Sequence, residues 1–291
     1  MAVCPDIEQI DAWLAQREAT VPALRPHCAK HVRWASGQVQ QTDIAVVYVH
    51  GFSATFQELH PLPQMVANGV GANLFNTRLT GHGQDIDAMG QASLEDWRTD
   101  IAEALAVASV LGRKVVAMGC STGCTLLAEA MAQGAEAAAL VFVSPNFGLA
   151  HPVAHHLLKL PLVRDWGHIR IGSDLVSAPR HPKHAEYWTP RYPAQAAYTM
   201  SDAVDRALAG DFGRCTMPLY VAYNPRDQVV SAERMRRALA DWGGAVRYDR
   251  LSQTPQDDPL GHIMAGEVFS PQQTDPLAAR ILKWLRDEMR D

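Results

Sequence analysis

The chain has 291 residues, 47% of them hydrophobic and 20% charged, with a formal net charge of -5. That length suits one large α/β domain with an insertion, and the apolar share suits a sizeable core. The mild acidity argues against nucleic acid or an anionic membrane surface as the main partner, and the trio Arg234, Arg236 and Arg237 reads as a solvated helix face.

The first residues, Met1 to Glu8, contain neither a basic region nor an apolar core, so no secretory signal is expected. Residues 6–19 have the pattern of an amphipathic helix ended near Pro22 and Pro26, and 30–35 read as a possible strand. The continuous apolar run 44–49 is expected to be a strand buried on both faces of a parallel sheet. It ends in His50-Gly51-Phe52. A helix over 56–68 follows despite Pro61 and Pro63, then a strand over 72–78 and the loop Gly81-His82-Gly83. Residues 94–111 carry the 3.6-residue apolar period of a helix, with Ser93 as its N-cap. Two more buried strands are expected, at 115–118 and 138–144, with a helix over 125–132 between them.

After Pro145-Asn146 the alternation stops. Residues 146–213 are rich in His, Pro, Trp and Tyr, with helical patches and no strands. That is too long for a simple loop and reads as an inserted, mainly helical cap. Alternation returns with a strand at 219–223, a helix over 232–242, a strand at 245–251 and a final helix over 275–289. Short apolar strands alternating with helices mean βαβ units and a mostly parallel sheet. The expected organisation is a core from 1–145 and 214–291, with the cap at 146–213 between the two parts. No stretch is apolar enough for long enough to span a bilayer.

The most informative segment is Val115-Val116-Ala117-Met118-Gly119-Cys120-Ser121-Thr122-Gly123-Cys124. A strand ends in Gly-x-Ser-x-Gly and a helix starts at once, which is the context of a nucleophile elbow. The glycines allow a sharp turn in which a Cβ at either flank would collide with a neighbouring element. A serine hydroxyl needs a base, and the base needs a group to orient it. Asp227, in Asn224-Pro225-Arg226-Asp227, and His262, in Gly261-His262, each lie just beyond a predicted strand. Ser121, Asp227, His262 is the chain order of the serine triad on an open α/β sheet. Asp257 or Asp258 is the alternative acid, although either would share the loop of His262. The backbone N–H groups of Phe52 and Thr122 are the candidate oxyanion donors.

These pieces resemble the α/β-hydrolase superfamily, and within it the carboxylesterase and monoacylglycerol lipase-like group. The resemblance rests on His50-Gly51-Phe52, Leu79-Thr80-Gly81-His82-Gly83, Asp96-Trp97, Gly119-Cys120-Ser121-Thr122-Gly123, Arg226-Asp227 with Val229-Val230, and Gly261-His262. It runs from about residue 44 to the C-terminus, with the cap matching in position only. It implies an α/β-hydrolase fold, a Ser-Asp-His triad, no cofactor, and hydrolysis of carboxylic esters in an apolar cleft. Three positions depart from the usual pattern: Thr122 replaces Met or Leu, Cys124 replaces Gly, and Thr80 replaces Pro. The Thr122 hydroxyl adds polarity to the pocket floor, which speaks against a long acyl chain.

Other residues read as bland. Cys120 is expected to be a small core residue pointing away from the site. The five cysteines Cys4, Cys28, Cys120, Cys124 and Cys215 form neither a disulfide framework nor a zinc pattern, and a reducing cytoplasm fits best. His82 reads as a loop brace. His155-His156 and His181 with His184 lack the partners of a metal site. Trp166, Tyr187, Trp188, Tyr192 and Tyr198 either line a pocket or form the cap's own core. The expected partner is a small-molecule ester, and the sequence leaves the oligomeric state open. Amide cleavage, acyl transfer, C–C hydrolysis and a non-catalytic receptor are the rival uses of this scaffold.

Overall fold

A computed structural model describes residues 4–157, 174–176 and 180–289. The apolar run at 44–49 forms most of β2 (Thr42–Val49), whose last five residues are buried. It is flanked by β3 (Asn73–Asn76) and β4 (Gly112–Cys120), and the sheet continues through β5 (Ala139–Val143), β8 (Leu219–Tyr223) and β9 (Val246–Arg250). These six strands are mutually parallel, and the short β1 (His31–Arg33) pairs antiparallel with β3 at one edge. The order β1-β3-β2-β4-β5-β8-β9 gives a seven-stranded sheet.

Side-chain alternation along the strands feeds two apolar layers. Val47 and Val49 point to the layer holding α1 (Ile10–Ala19), α4 (Leu94–Leu111) and α5 (Thr122–Ala132), where Ile10, Trp97 and Leu127 are buried. Val46 and Tyr48 point to the layer of α2 (Leu62–Gly69) and α10 (Pro271–Glu288), with Val66, Ile281 and Leu285. Helix α4 begins as expected: Ser93 caps it, and Asp96 returns the bond to the Ser93 N–H in a capping box.

Several expected elements need correction. The single helix over 56–68 is a 3-10 turn at Phe56–Glu58 followed by α2, because the chain turns at Pro61 and restarts with Pro63 in the first helical turn, where proline is tolerated. The helix over 232–242 is α9 (Ala232–Ala238) with a 3-10 turn after it. A short α3 (Ile86–Gln91), capped by Asp85, was not expected. The insertion is not free of strands: β6 (Asp174–Val176) pairs antiparallel with β7 (Arg191–Pro193). Among the described residues its helices are α6 (Pro152–Leu157), α7 (His184–Tyr187) and α8 (Ala194–Leu208). Trp166 lies outside the described residues.

The segment before β2 is tied down by buried charge. The Arg78 guanidinium pairs with Glu18, and Lys30 Nζ lies 3.0 Å from Asp100 and 2.6 Å from Glu103. All five side chains are under 10% exposed. The Arg25 guanidinium donates to the carbonyls of Ala185, Glu186 and Trp188 and to the Thr189 hydroxyl. The arm at the start of the chain therefore reaches both the sheet and the insertion.

Candidate active site

Ser121 stands between the end of β4 and the start of α5, with φ +50° and ψ -115°. A non-glycine residue rarely adopts this conformation, and such strain concentrates at functional turns. The turn is enforced by its neighbours. A Cβ at Gly119 would come within 2.8 Å of the Cys124 nitrogen, and one at Gly123 within 2.2 Å of the Val49 carbonyl. The Ser121 N–H donates to Val143 of the adjacent strand at 3.0 Å. Thr122 opens α5, so its N–H belongs to the first turn that lacks an intrahelical acceptor, at the positive end of the helix dipole.

Asp227 lies in the loop after β8. Its Oδ1 accepts from the N–H groups of Val229 at 2.7 Å and Val230 at 3.0 Å, and its Oδ2 meets His262 Nδ1 at 2.7 Å. The carboxylate thus braces its own turn and orients the ring at the same time. With Nδ1–H donating to Asp227, the Nε2 lone pair is the free one; this tautomer follows from the bonding pattern. Burial disfavours the charged ring. The Asp227 carboxylate outweighs it by charge and hydrogen bond, with Asp258 and Glu58 acting in the same direction, so the His262 pKa is raised.

Asp258 does not face the ring. Its Oδ2 accepts from the backbone N–H groups of His262 at 3.0 Å and Ile263 at 2.9 Å, and its Oδ1 pairs with Arg180 from the insertion. Asp257 instead accepts from Thr254 and from Gln273. The two alternative acids are therefore supports of the histidine loop. Ser144, next to the strand residue that holds Ser121, donates from its hydroxyl to the His262 carbonyl at 2.5 Å. Among the described residues no hydrogen bond joins the Ser121 hydroxyl to the His262 ring. Such contacts are often loose without substrate and tighten in the reacting complex.

The loop carrying Phe52 is held from both sides. His50 Nε2 accepts from the Leu79 N–H at 3.0 Å, and its Nδ1–H reaches the Gly51 carbonyl at 2.9 Å. The rings of His50, Phe52 and Trp97 surround His82, whose Nδ1–H points to the Thr80 carbonyl at 3.2 Å. Burial lowers the His82 pKa to about 4, so the ring is a neutral brace at pH 7. Tyr192 of β7 meets the Phe52 ring edge-on at 4.9 Å, whereas Trp188 packs into the core against Phe269.

Sequence reasoning missed Glu58, Asn146 and Arg180. Asn146 is 3% exposed; its amide donates to the Thr122 hydroxyl at 3.4 Å and to Met200 Sδ at 3.1 Å. Cys120 is fully buried, and burial and then Glu58 push its thiol well up from the ordinary value, which fits an inert sulfur. His184 Nδ1 accepts from the Arg180 N–H and its ring packs on Trp188 and Phe269, while His181 Nδ1 accepts from Lys183. Both rings are thereby engaged in local structure, and His155 lies outside the described side chains.

The family model of serine aminopeptidase S33 matches residues 40–248. The chain belongs to this α/β-hydrolase family. No curated protein sequence matches it. Among solved structures, it is similar to a chain from work on the metagenome-derived lipolytic enzymes LipS and LipT, with TM-score 0.72 and 18% identity over 91% of this chain and 99% of that one. The monoacylglycerol lipase of Paleococcus ferrophilus gives 0.62 and 16% over 89% and 98%. A soluble variant of the Saccharomyces cerevisiae monoglyceride lipase gives 0.66 and 10% over 90% and 92%. At such identities the likeness speaks for the α/β-hydrolase fold, including its mostly parallel sheet flanked by helices. Among the described residues no helix is long and apolar enough to cross a membrane.

Proposed function

We propose that the protein hydrolyses carboxylic esters of short to medium acyl chains, or monoacylglycerol-like esters, through Ser121, His262 and Asp227. The observation that carries this reading is the 2.7 Å contact between His262 Nδ1 and Asp227, with the strained Ser121 elbow nearby on the same sheet edge. Ser121 Oγ attacks the ester carbonyl while His262 Nε2 takes its proton. Asp227 keeps the ring in the required tautomer and stabilises its cation. The N–H groups of Phe52 and Thr122 take the oxyanion, helped by the α5 dipole. The alcohol leaves with the proton from His262, and water cleaves the acyl-enzyme by the same route in reverse order of roles.

The family's serine aminopeptidase description keeps peptide cleavage as the second reading. The same nucleophile serves amides, so the substrate panel must hold both. The test is labelling by a fluorophosphonate probe and turnover of p-nitrophenyl acetate and butyrate beside aminoacyl p-nitroanilides. Wild type should be labelled at Ser121 and turn over the esters. Ser121→Ala should lose labelling and about 10⁶-fold in kcat. An unchanged ester rate in Ser121→Ala would reject the assignment, and faster anilide than ester turnover would move the reading to peptides.

A further inference from the structure

Glu58 is an unusual residue for a core. It is 1% exposed, beneath the loop that presents Phe52. Its Oε1 accepts from the Gly51 N–H at 2.5 Å and from the Tyr48 hydroxyl at 2.7 Å, and the buried Cys120 thiol is a further neighbour that favours its ionised form. Gly51 is sandwiched between this group and the elbow: a Cβ there would lie 3.0 Å from Glu58 Oε2 and 3.1 Å from Ser121 Cβ. On the far side, a Cβ at Gly266 would lie 2.4 Å from the Glu58 carbonyl, so the chain after His262 rests on the same turn. A carboxylate is costly to bury without charge compensation, and neutral donors supply only part of it. Its retention here needs a reason beyond packing.

We propose that Glu58 is a positioning residue that clamps the Gly51 N–H and so aims the Phe52 N–H at the oxyanion, while its charge supports the His262 cation. This rests on the ester-hydrolase reading above. The titratable groups that face Glu58 are Tyr48 from β2, Cys120 from β4, Cys124 from α5 and His262 from its loop. Burial raises the Glu58 pKa to about 7, against the pull of Tyr48, Gly51, His262 and Cys120. Deprotonation strengthens its bond to the Gly51 N–H and places a negative charge near the imidazolium that forms during turnover. Activity therefore rises through this ionisation as it does through that of His262, and the two groups titrate as a coupled pair.

The test compares Glu58→Gln, Glu58→Leu and Tyr48→Phe with wild type in p-nitrophenyl butyrate hydrolysis across pH. Glu58→Gln keeps an acceptor oxygen for Gly51; Glu58→Leu removes it. Glu58→Leu should lose roughly 100-fold in kcat with little change in KM, the scale of a misaimed catalytic group. Glu58→Gln, which keeps the acceptor but lacks the charge as protonated Glu58 does, should fall between wild type and Glu58→Leu, at about a tenth of the wild-type kcat, and should reduce the acidic limb of the kcat/KM profile from two protons to one. Tyr48→Phe removes a donor to the carboxylate, so the second ionisation should move to higher pH. An undiminished kcat in Glu58→Leu, an effect on KM alone, or an identical two-proton limb in Glu58→Gln would each overturn the proposal. Where Glu58→Leu fails to fold, the limbs of Glu58→Gln and Tyr48→Phe decide. Labelling of wild-type Ser121 is scored separately, so its absence counts against the ester-hydrolase reading and not against the clamp alone.

Discussion

Replacing Asp227 by Asn tests the site at its most constrained point. Asp227 Oδ1 is fixed by the N–H groups of Val229 and Val230, which require an oxygen. The new amide must therefore turn its NH2 toward His262 Nδ1. Nδ1 becomes the acceptor, the ring proton moves to Nε2, and the nitrogen proposed to receive the serine proton is already occupied. The charge is lost as well. A unit pair at 2.7 Å interacts with about 6 kcal/mol at an effective dielectric of about 20. Part of that also stabilises the neutral ground state, which leaves about 4 to 5 kcal/mol for the imidazolium. At about 1.4 kcal/mol per decade this is roughly 10³- to 10⁴-fold in kcat. The assay is p-nitrophenyl butyrate turnover with KM measured alongside, and thermal unfolding to show that the turn is intact. The reasoning is refuted if Asp227→Asn, correctly folded, keeps kcat within about tenfold of wild type, since that is far less than the tautomer argument requires.

Three more predictions follow from the same geometry. The His262 pKa is raised, so the ring stays protonated and inactive to a higher pH than a free imidazole; ester turnover should rise with pH to a midpoint above the ordinary histidine value, and Asp227→Asn should shift its residual limb downward. A flat profile through neutrality would contradict this. Gly123→Ala forces a Cβ to within 2.2 Å of the Val49 carbonyl and should cost about 2 to 4 kcal/mol of stability by urea unfolding; a change in midpoint too small to detect would show that the elbow relaxes freely. Lys30→Met leaves Asp100 and Glu103 without their buried cation and should destabilise by about 3 to 5 kcal/mol at unchanged m-value, whereas a loss under about 1 kcal/mol would mean that Arg17 and the Thr80 N–H compensate.

The sheet and the elbow were legible because they are written in local pattern. Apolar runs ending in Gly-rich turns mark buried strands, and Ser93 with Asp96 marks the start of α4. The three candidate residues could be placed because each follows a strand. Shorter features were not legible. Helix α3 is six residues with Gly90 inside it, and the β6–β7 ribbon uses three-residue strands that carry no period. The division of the helix over 56–68 depended on how the chain turns at Pro61, which composition does not fix. Glu58 was invisible for a different reason. Glutamate is ordinarily solvated, and only the fold shows Tyr48, Gly51 and Cys120 converging on it. The role of Asp258 was likewise hidden: its closeness to His262 in sequence counted against the ring, but only the fold shows it accepting from the backbone N–H groups of His262 and Ile263.

The Arg25 fan has a practical meaning for anyone who builds chimeras in this family. The family match starts at residue 40, which invites the segment before it to be treated as dispensable. Yet one guanidinium from that segment gathers three carbonyls and a hydroxyl of residues 185–189, and Thr189 in turn donates its N–H to Ser53, one residue past Phe52. A donor insertion grafted onto this core without a matching leader would arrive with that seam open. Its loosened edge would lie next to the turn proposed to receive the oxyanion, so swapped substrate preference and lost rate would be entangled in one design.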